Sequence, residues 1–463
     1  MTPSYADLPR SVSQSIEQLT ASLRAMLTRR VDADLSAVEQ ELAASLSAVG
    51  RSVMQAVLEG LDAGGEDVGY EDRRYWEAIR PSREYMTQFG VVSVKRGLHR
   101  EVRNGPTICP MDLRAGIIER FWTPHAAKLA ALSVSDMTPY RAETFFREMG
   151  MMAPSRSSLD RLPKALNAQW ECKREQYEQQ VLEAAEIPAE AVTVAASLDG
   201  VMVPVRGTNA KAMKAKTRSR GQPAKGPAGY REVACGSLSF YDVNGVRLRT
   251  WRMARMPAAK QRTLKEQLQR ELDHVRSRRP DLTVVLVADG AANNWEFLAT
   301  LQATHQVVDF YHAAEHLKRA LDLAMGASSV PTQAKFEKLR RVLRDDTDGV
   351  GKVIRALKRL KPAKRGDHRD YRTGVNYFIK HRERMRYAQL QAANLPIGSG
   401  VIEGTCKSLA SDRLKRAGMR WDTSGGQAIL NLRAWTQSDR FDTAWALLAA
   451  NYNAEVPTIT AAA

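Results

Sequence analysis

The sequence predicts a mixed α/β protein: a sheet core carrying carboxylates, interrupted by a helical insertion and preceded by a mainly helical region. Three observations predict it. Two short apolar runs, "AVTVAASLDG" (191–200) and "LTVVLVADG" (282–290), read as buried strands that each end in an aspartate. Strands and helices around them alternate in the order β-β-β-α-β-α-β-α. A strongly basic helical block, 330–390, then breaks into that alternation before it resumes. At 463 residues the chain exceeds one typical core, so several domains are expected.

Residues 1–64 form an amphipathic helical region, with Leu19, Leu23 and Leu27 and then Leu35, Val38, Leu42 and Leu46 at helical spacing. That stripe suits a partner-binding face and a helical cap on the core equally. Residues 65–190 are mixed and basic. "FGVVSVKRGLHREV" alternates and reads as a strand pair, followed by the turn "NGPTICPMD". Short helices come next, the last two separated by a turn containing Gly150. The second of them has serine caps and carries Arg156 and Arg161, the layout of a helix-turn-helix and also of many all-helical cores. A helix rich in Glu and Gln runs to about Glu186, with Pro188 as its stop signal.

The core spans 191–329 and resumes over 391–450, with a tail at 451–463. Its second and third strands, "REVACGSLSFYD" and "GVRLRTWRM", are joined by a hairpin turn at Val243-Asn244-Gly245. Residues 257–277 read as a long charged helix, and "HQVVDF" as a short strand before the helix "YHAAEHLKRALDLA". The stretch 206–229, with Lys211, Lys214 and Lys216, is rich in Lys, Arg, Gly and Pro and reads as a mobile loop. It suits a basic arm on DNA as well as a solvated insert.

Lys and Arg number 69 against 52 Asp and Glu, a formal net charge of +17. That excess suits a polyanionic partner, first of all nucleic acid. No run approaches the ~20 apolar residues of a membrane span. The opening "MTPSYADLPRSV" lacks the apolar core of a secretory signal. Cys109, Cys172, Cys235 and Cys406 are far apart and form no CxxC pair. The expectation is a reduced cytoplasmic, nucleoid-associated protein without a structural zinc.

Asp199 and Asp289 close the two apolar runs. If the fourth strand pairs beside the first, the two carboxylates become neighbours. Glu403, at the head of a helix packed on that sheet, completes a triangle. Three hard oxygen ligands at an open sheet edge suit Mg²⁺, two ions of which serve an in-line phosphoryl displacement, with Mn²⁺ as a substitute. Lys407, Arg413, Lys415, Arg416 and Arg420 follow Glu403 and offset its repulsion of DNA phosphates. Trp421 suits a stacked base. Singly, each of these residues is more often structural, since a helix-start glutamate suits the helix dipole and Asp-Gly suits a turn.

With these motifs the chain resembles the DDE transposases of bacterial insertion sequences, in particular the ISKra family related to the Mutator-like group. The pieces are "SLDG" (197–200), "ADGA" (288–291), "DFYHAAEHL" (309–317), "GSGVIEGTCK" (398–407) and "RLKRAGMRW" (413–421). The resemblance covers about 70–440. It implies an RNase H-like catalytic core, a helical insertion before the glutamate and N-terminal DNA-binding modules. It implies Asp199, Asp289 and Glu403 as the acidic triad. Asp309 and His312 match the acidic-x-x-His element that shapes the site or aids proton transfer. The implied activity is Mg²⁺-dependent cleavage and transfer of strands at terminal inverted repeats, by a homodimer or higher oligomer on DNA. Relatives carry paired cysteines near "CPMD", where this chain has only Cys109, so no zinc site is carried over. Three rivals stand beside it: a transposase-derived DNA-binding protein without catalysis, an RNase H-like nuclease, and a zinc protease built on "HAAEH" (312–316).

Overall fold

A computed structural model describes residues 8–28, 34–206, 229–327, 329–362 and 364–459, with the side chain of Arg365 left out. Lys211, Lys214 and Lys216 lie outside the described residues. The chain divides into two compact units, 1–179 with 441–463, and 180–440.

In the first unit, α1 (Arg10–Thr28) packs along α2 (Leu35–Gly60), which Asp34 caps by accepting from the Ser36 N–H at 3.0 Å. Six strands follow: β1 (Asp67–Tyr70), β2 (Arg73–Ile79), β3 (Ser82–Thr87), β4 (Gly90–Lys95), β5 (Leu98–Arg100) and β6 (Thr107–Ile108). The region is therefore less helical than its sequence suggested. "FGVVSVKRGLHREV" does hold two strands, but they do not pair with each other. β4 pairs back onto β3, and β5 pairs with β2 and β6. Alternation reports a strand's buried face and not the neighbour at its edge.

Helices α3 (Pro110–Arg114), α4 (Pro124–Asp136), α5 (Pro139–Met149) and α6 (Arg156–Cys172) come next, and α4, α5 and α6 pack on one another. Gly150 ends α5 in the left-handed conformation at φ 69°, where a side chain would be strained. Ser155 caps α6 through the Ser158 N–H. α7 (Arg174–Glu183) leads out of the unit.

Residues 441–463 belong to this unit and not to the sheet core in which residues up to 450 were expected. The helix Phe441–Ala450 buries Phe441, Ala444, Trp445 and Leu448, and Asp442 pairs with Lys128 at 2.6 Å. The Arg114 guanidinium donates to the Val456 and Leu61 carbonyls at 2.8 and 2.9 Å. A short strand at Thr458–Ile459 then pairs antiparallel with β1.

The second unit contains β7 (Thr193–Pro204), β8 (Tyr230–Tyr241), β9 (Arg247–Arg255), α8 (Arg262–Arg278), β10 (Thr283–Ala288), α9 (Ala292–Leu298), β11 (His305–Val308) and α10 (Phe310–Met325). Four helices make up the basic block: α11 (Val330–Asp345), α12 (Gly349–Lys358), α13 (His368–Lys380) and α14 (Tyr387–Ala392). After it come α15 (Gly400–Thr405), a π-helical stretch Cys406–Ser411 and α16 (Thr423–Thr436). The sheet order is β11-β10-β7-β8-β9. β7, β8 and β9 are antiparallel, while β10 runs parallel to β7, and β11 to β10. The fourth strand of the core does pair beside the first.

The β8–β9 turn forms because the Asp242 carboxylate accepts from the Asn244 and Val246 N–H groups at 2.9 and 2.7 Å. Gly245 is required there, since it has φ 76° and an added Cβ would stand 2.7 Å from the Asn394 carbonyl.

The sheet is buried on both faces, as its apolar runs require. One cluster packs Val194, Leu198, Leu238, Val285 and Leu286 of the sheet with residues of α8 and α10. The basic block shares this cluster through Leu343, Val353, Leu357 and Phe378, so it is built into the unit. Val203, Val205, Val233 and Cys235 meet Ile402, Cys406, Leu409 and Ile429 in a second cluster. Among the described residues no helix is long and apolar enough to cross a membrane.

Candidate metal centre

Asp199, Asp289 and Glu403 lie near enough for the last two to act on the charge of the first, but their ligand atoms do not gather within 4.8 Å of one another. β7 does not stop at Asp199; it runs on to Pro204, paired with β8 throughout. Gly200 read as a turn, but the apolar alternation continues through Val201 and Val203. What ends near Asp199 is the parallel pairing with β10, whose last register is Ser197 with Val287. Asp199 therefore sits where the sheet opens, with Cys235 as its partner on β8. One of its oxygens accepts from the Gly200 N–H at 2.7 Å, and the other lies 3.8 Å from the Cys406 Sγ. Burial first, and then the negative charges of Asp289 and Glu403, push the Asp199 carboxyl above its ordinary 3.8; the Gly200 N–H and His312 oppose the shift.

Asp289 follows the last residue of β10. Its Oδ1 accepts from the Ala291 N–H and the Asn294 amide, each at 3.1 Å, and its carbonyl accepts from the Trp295 indole at 2.6 Å. Asp309 follows β11 and is fully buried. Its N–H donates to the Ala288 carbonyl at 2.8 Å. Its Oδ1 caps α10 by accepting from the His312 N–H at 2.6 Å, and its Oδ2 accepts from the Ser399 N–H. Ser399 Oγ donates in turn to Glu403 Oε1 at 3.1 Å. One buried carboxylate thus ties the end of β11 to both the helix that carries His312 and the turn that launches α15.

His312 Nε2 stands 3.8 Å from Glu403 Oε1, and Nδ1 stands 3.5 Å from Glu315 Oε2. Ligand atoms of Asp309, His312 and Glu403 all lie within 4.8 Å of one another, a group that could hold a metal ion. It is the only such cluster among the described residues. Asp199 and Asp289 stand beside it, close enough for Asp289, His312 and Glu403 to act on the charge of Asp199. His316 takes no part in the group. Its ring stacks on Tyr377, with centroids 3.8 Å apart and planes 16° apart, so "HAAEH" does not supply a pair of imidazole ligands.

The predicted cations separate into two sets. Lys407, Lys415 and Arg420 are exposed. Arg416 is half-buried and donates to the Asp412 carbonyl at 2.7 Å. Arg413 is buried, with its guanidinium 5.1 Å from the Trp421 ring centroid and its Nη1 3.7 Å from Met419 Sδ. Trp421 donates its indole N–H to the Leu414 carbonyl at 3.0 Å, and its backbone bonds to Pro204 and Arg206. These two residues clasp the segment after Glu403 onto the extension of β7. Arg413 is therefore a packing contact and does not face solvent, while Trp421 is half-buried.

In the first unit, the Arg156 guanidinium lies 4.9 Å from the Tyr140 ring centroid and 3.5 Å from Glu143. Arg161 is exposed and donates to the Ser157 carbonyl at 3.3 Å.

Sequence reasoning missed Ser399, Cys406 and Arg433. Ser399 had a signal in "GSG", just ahead of Glu403. Arg433 is buried and donates to the Ser408 and Leu409 carbonyls at 3.0 and 3.1 Å, satisfying groups that the wider π-helical turn releases. Nothing in the linear sequence marks a π-helical turn. No protein-family model matches the chain, and no curated protein matches it significantly.

Proposed function

We infer that the chain is a DDE transposase: an RNase H-like, metal-dependent enzyme that cuts the ends of its own insertion sequence and joins them to target DNA. The observation that carries it is the convergence of Asp199, Asp289 and Glu403 at one end of a sheet ordered β11-β10-β7-β8-β9, with the glutamate delivered after a helical block. Three antiparallel strands, followed by two parallel to the first, are what an RNase H-like core requires.

The residues fit Mg²⁺. Asp199, Asp289 and Glu403 offer hard oxygen donors. Each of the other two carboxylates raises the Asp199 pKa, a like-charge conflict that a cation relieves. Bound there, two Mg²⁺ ions supply an activated nucleophile and stabilise the leaving oxygen of an in-line displacement, and Mn²⁺ supplies the same. Asp309 fixes the loops that present His312 and Glu403. His312 faces Glu403 with Nε2 and Glu315 with Nδ1, which places an imidazole between two carboxylates. Lys407, Lys415 and Arg420 neutralise phosphates beside the acidic end. The three packed helices α4 to α6, with Arg161 exposed, serve double-stranded DNA recognition in a homodimer or higher oligomer.

The test is incubation of purified protein with DNA carrying the gene's own flanking ends, with and without Mg²⁺, beside Asp289→Asn. Metal-dependent nicks at those ends and joined products, both lost in the variant, are expected. End binding without cutting under every divalent metal would mean a DNA-binding remnant. Cutting without joining would mean a nuclease.

A further inference from the structure

Tyr377, on α13 of the basic block, reaches the acidic end of the sheet. Its ring stacks on His316 of α10 and lies 5.0 Å from His381 between centroids. On its other side the ring is pressed against the turn that carries Asp289. A Cβ built on Gly290 would stand 2.2 Å from a Tyr377 ring carbon and 2.9 Å from the hydroxyl oxygen. The Asp289–Gly290 turn is moulded around this ring, and only glycine fits there. The Tyr377 hydroxyl is buried and has no hydrogen-bond partner. Burying a hydroxyl without a partner costs free energy, so such a group calls for an explanation. A phenol O–H is a hydrogen-bond donor, and the turn it is pressed against carries a carboxylate acceptor, Asp289.

The geometry points to Tyr377 as a positioning residue for Asp289: its hydroxyl donates to the Asp289 carboxylate when that carboxylate leaves the Ala291 and Asn294 donors to take a metal ion. The basic helical block is thereby coupled to the metal centre through one aromatic ring. Partners of this kind orient metal-ligating carboxylates, and their removal typically costs 10–100-fold in metal affinity. This inference rests on the metal-binding role of Asp289 proposed above.

The test uses the full chain and Mn²⁺ alone, with free Mn²⁺ followed by electron paramagnetic resonance. Tyr377→Phe keeps the ring, its stack on His316 and its packing on Gly290, and removes only the hydroxyl. Wild type, Tyr377→Phe and Asp289→Asn are titrated in parallel. The expected result is roughly 10-fold weaker Mn²⁺ binding in Tyr377→Phe, with duplex DNA affinity and melting temperature unchanged. A merely structural ring would leave Mn²⁺ affinity untouched. Wild-type Mn²⁺ binding by Tyr377→Phe, alongside lost binding in Asp289→Asn, overturns the role of Tyr377 and leaves the metal centre standing. Wild-type binding by Asp289→Asn overturns both.

Discussion

Asp309→Asn isolates the buried carboxylate that organises the site. In the native chain Asp309 accepts from two backbone N–H groups, His312 on Oδ1 and Ser399 on Oδ2. An asparagine keeps one acceptor, and asparagine caps helices well, so the α10 cap survives. Its amide NH₂ then faces the Ser399 N–H, donor against donor. One hydrogen bond to a charged acceptor is lost, worth about 1.5–3 kcal/mol, and a buried donor is left unsatisfied, so the total is roughly 3 kcal/mol. For a unit of this size each 1 kcal/mol moves the melting temperature by about 2–4 °C, which gives a fall of roughly 6–12 °C. Differential scanning calorimetry of the metal-free protein reads this directly. The Ser399 turn also loosens, so Glu403 loses the Ser399 Oγ donor at 3.1 Å, and Mn²⁺ binding should weaken together with the melting point. A variant that melts within about 2 °C of wild type, a shift below 1 kcal/mol, and binds Mn²⁺ normally would refute the role given to Asp309.

Asp199→Asn, Asp289→Asn and Glu403→Gln should each abolish strand cleavage while leaving DNA binding intact, as read by gel shift beside a cleavage assay; normal cutting by any one removes that residue from the triad. The raised Asp199 pKa means that the folded state holds a proton more tightly than the unfolded chain, so stability falls as pH rises from 3.8 through the folded value. Asp199→Asn should therefore melt higher than wild type at pH 7 without metal, with the advantage gone below pH 3.8, in thermal melts across pH. Arg413→Ala should destabilise the chain by about 1–3 kcal/mol, because it vacates a buried site on Trp421. Lys415→Ala and Arg420→Ala should leave stability unchanged and each lower the slope of log affinity against log salt by about 0.9.

Much of the sheet was legible because buried parallel strands announce themselves as unbroken apolar runs. The run 282–290 announced β10, and the turn Val243-Asn244-Gly245 announced the β8–β9 hairpin. Asp289 was readable as a carboxylate just past its strand. The end of β7 was placed a few residues early, at Asp199, because Asp-Gly carries the same local signal in a turn and in a strand that β8 holds straight. The cations after Glu403 were counted correctly but not oriented. Whether an arginine faces solvent or lies on Trp421 depends on a π-helical turn that Arg433 stabilises from α16, and no local pattern encodes that. The sheets of the first unit were hidden for a similar reason: β1 takes part of its pairing from Thr458–Ile459, at the far end of the sequence.

That last pairing bears on how the protein is made. The first unit takes β1 from ahead of the second unit in the sequence, yet its helix Phe441–Ala450 and the strand beside β1 come only after the second unit's last residue. The second unit is complete in sequence once residue 440 has emerged, so it is free to fold first. The earlier unit must wait, its edge at β1 unpaired, until residue 459 appears. Any product cut short in that interval would carry a finished second unit and an unfinished first one.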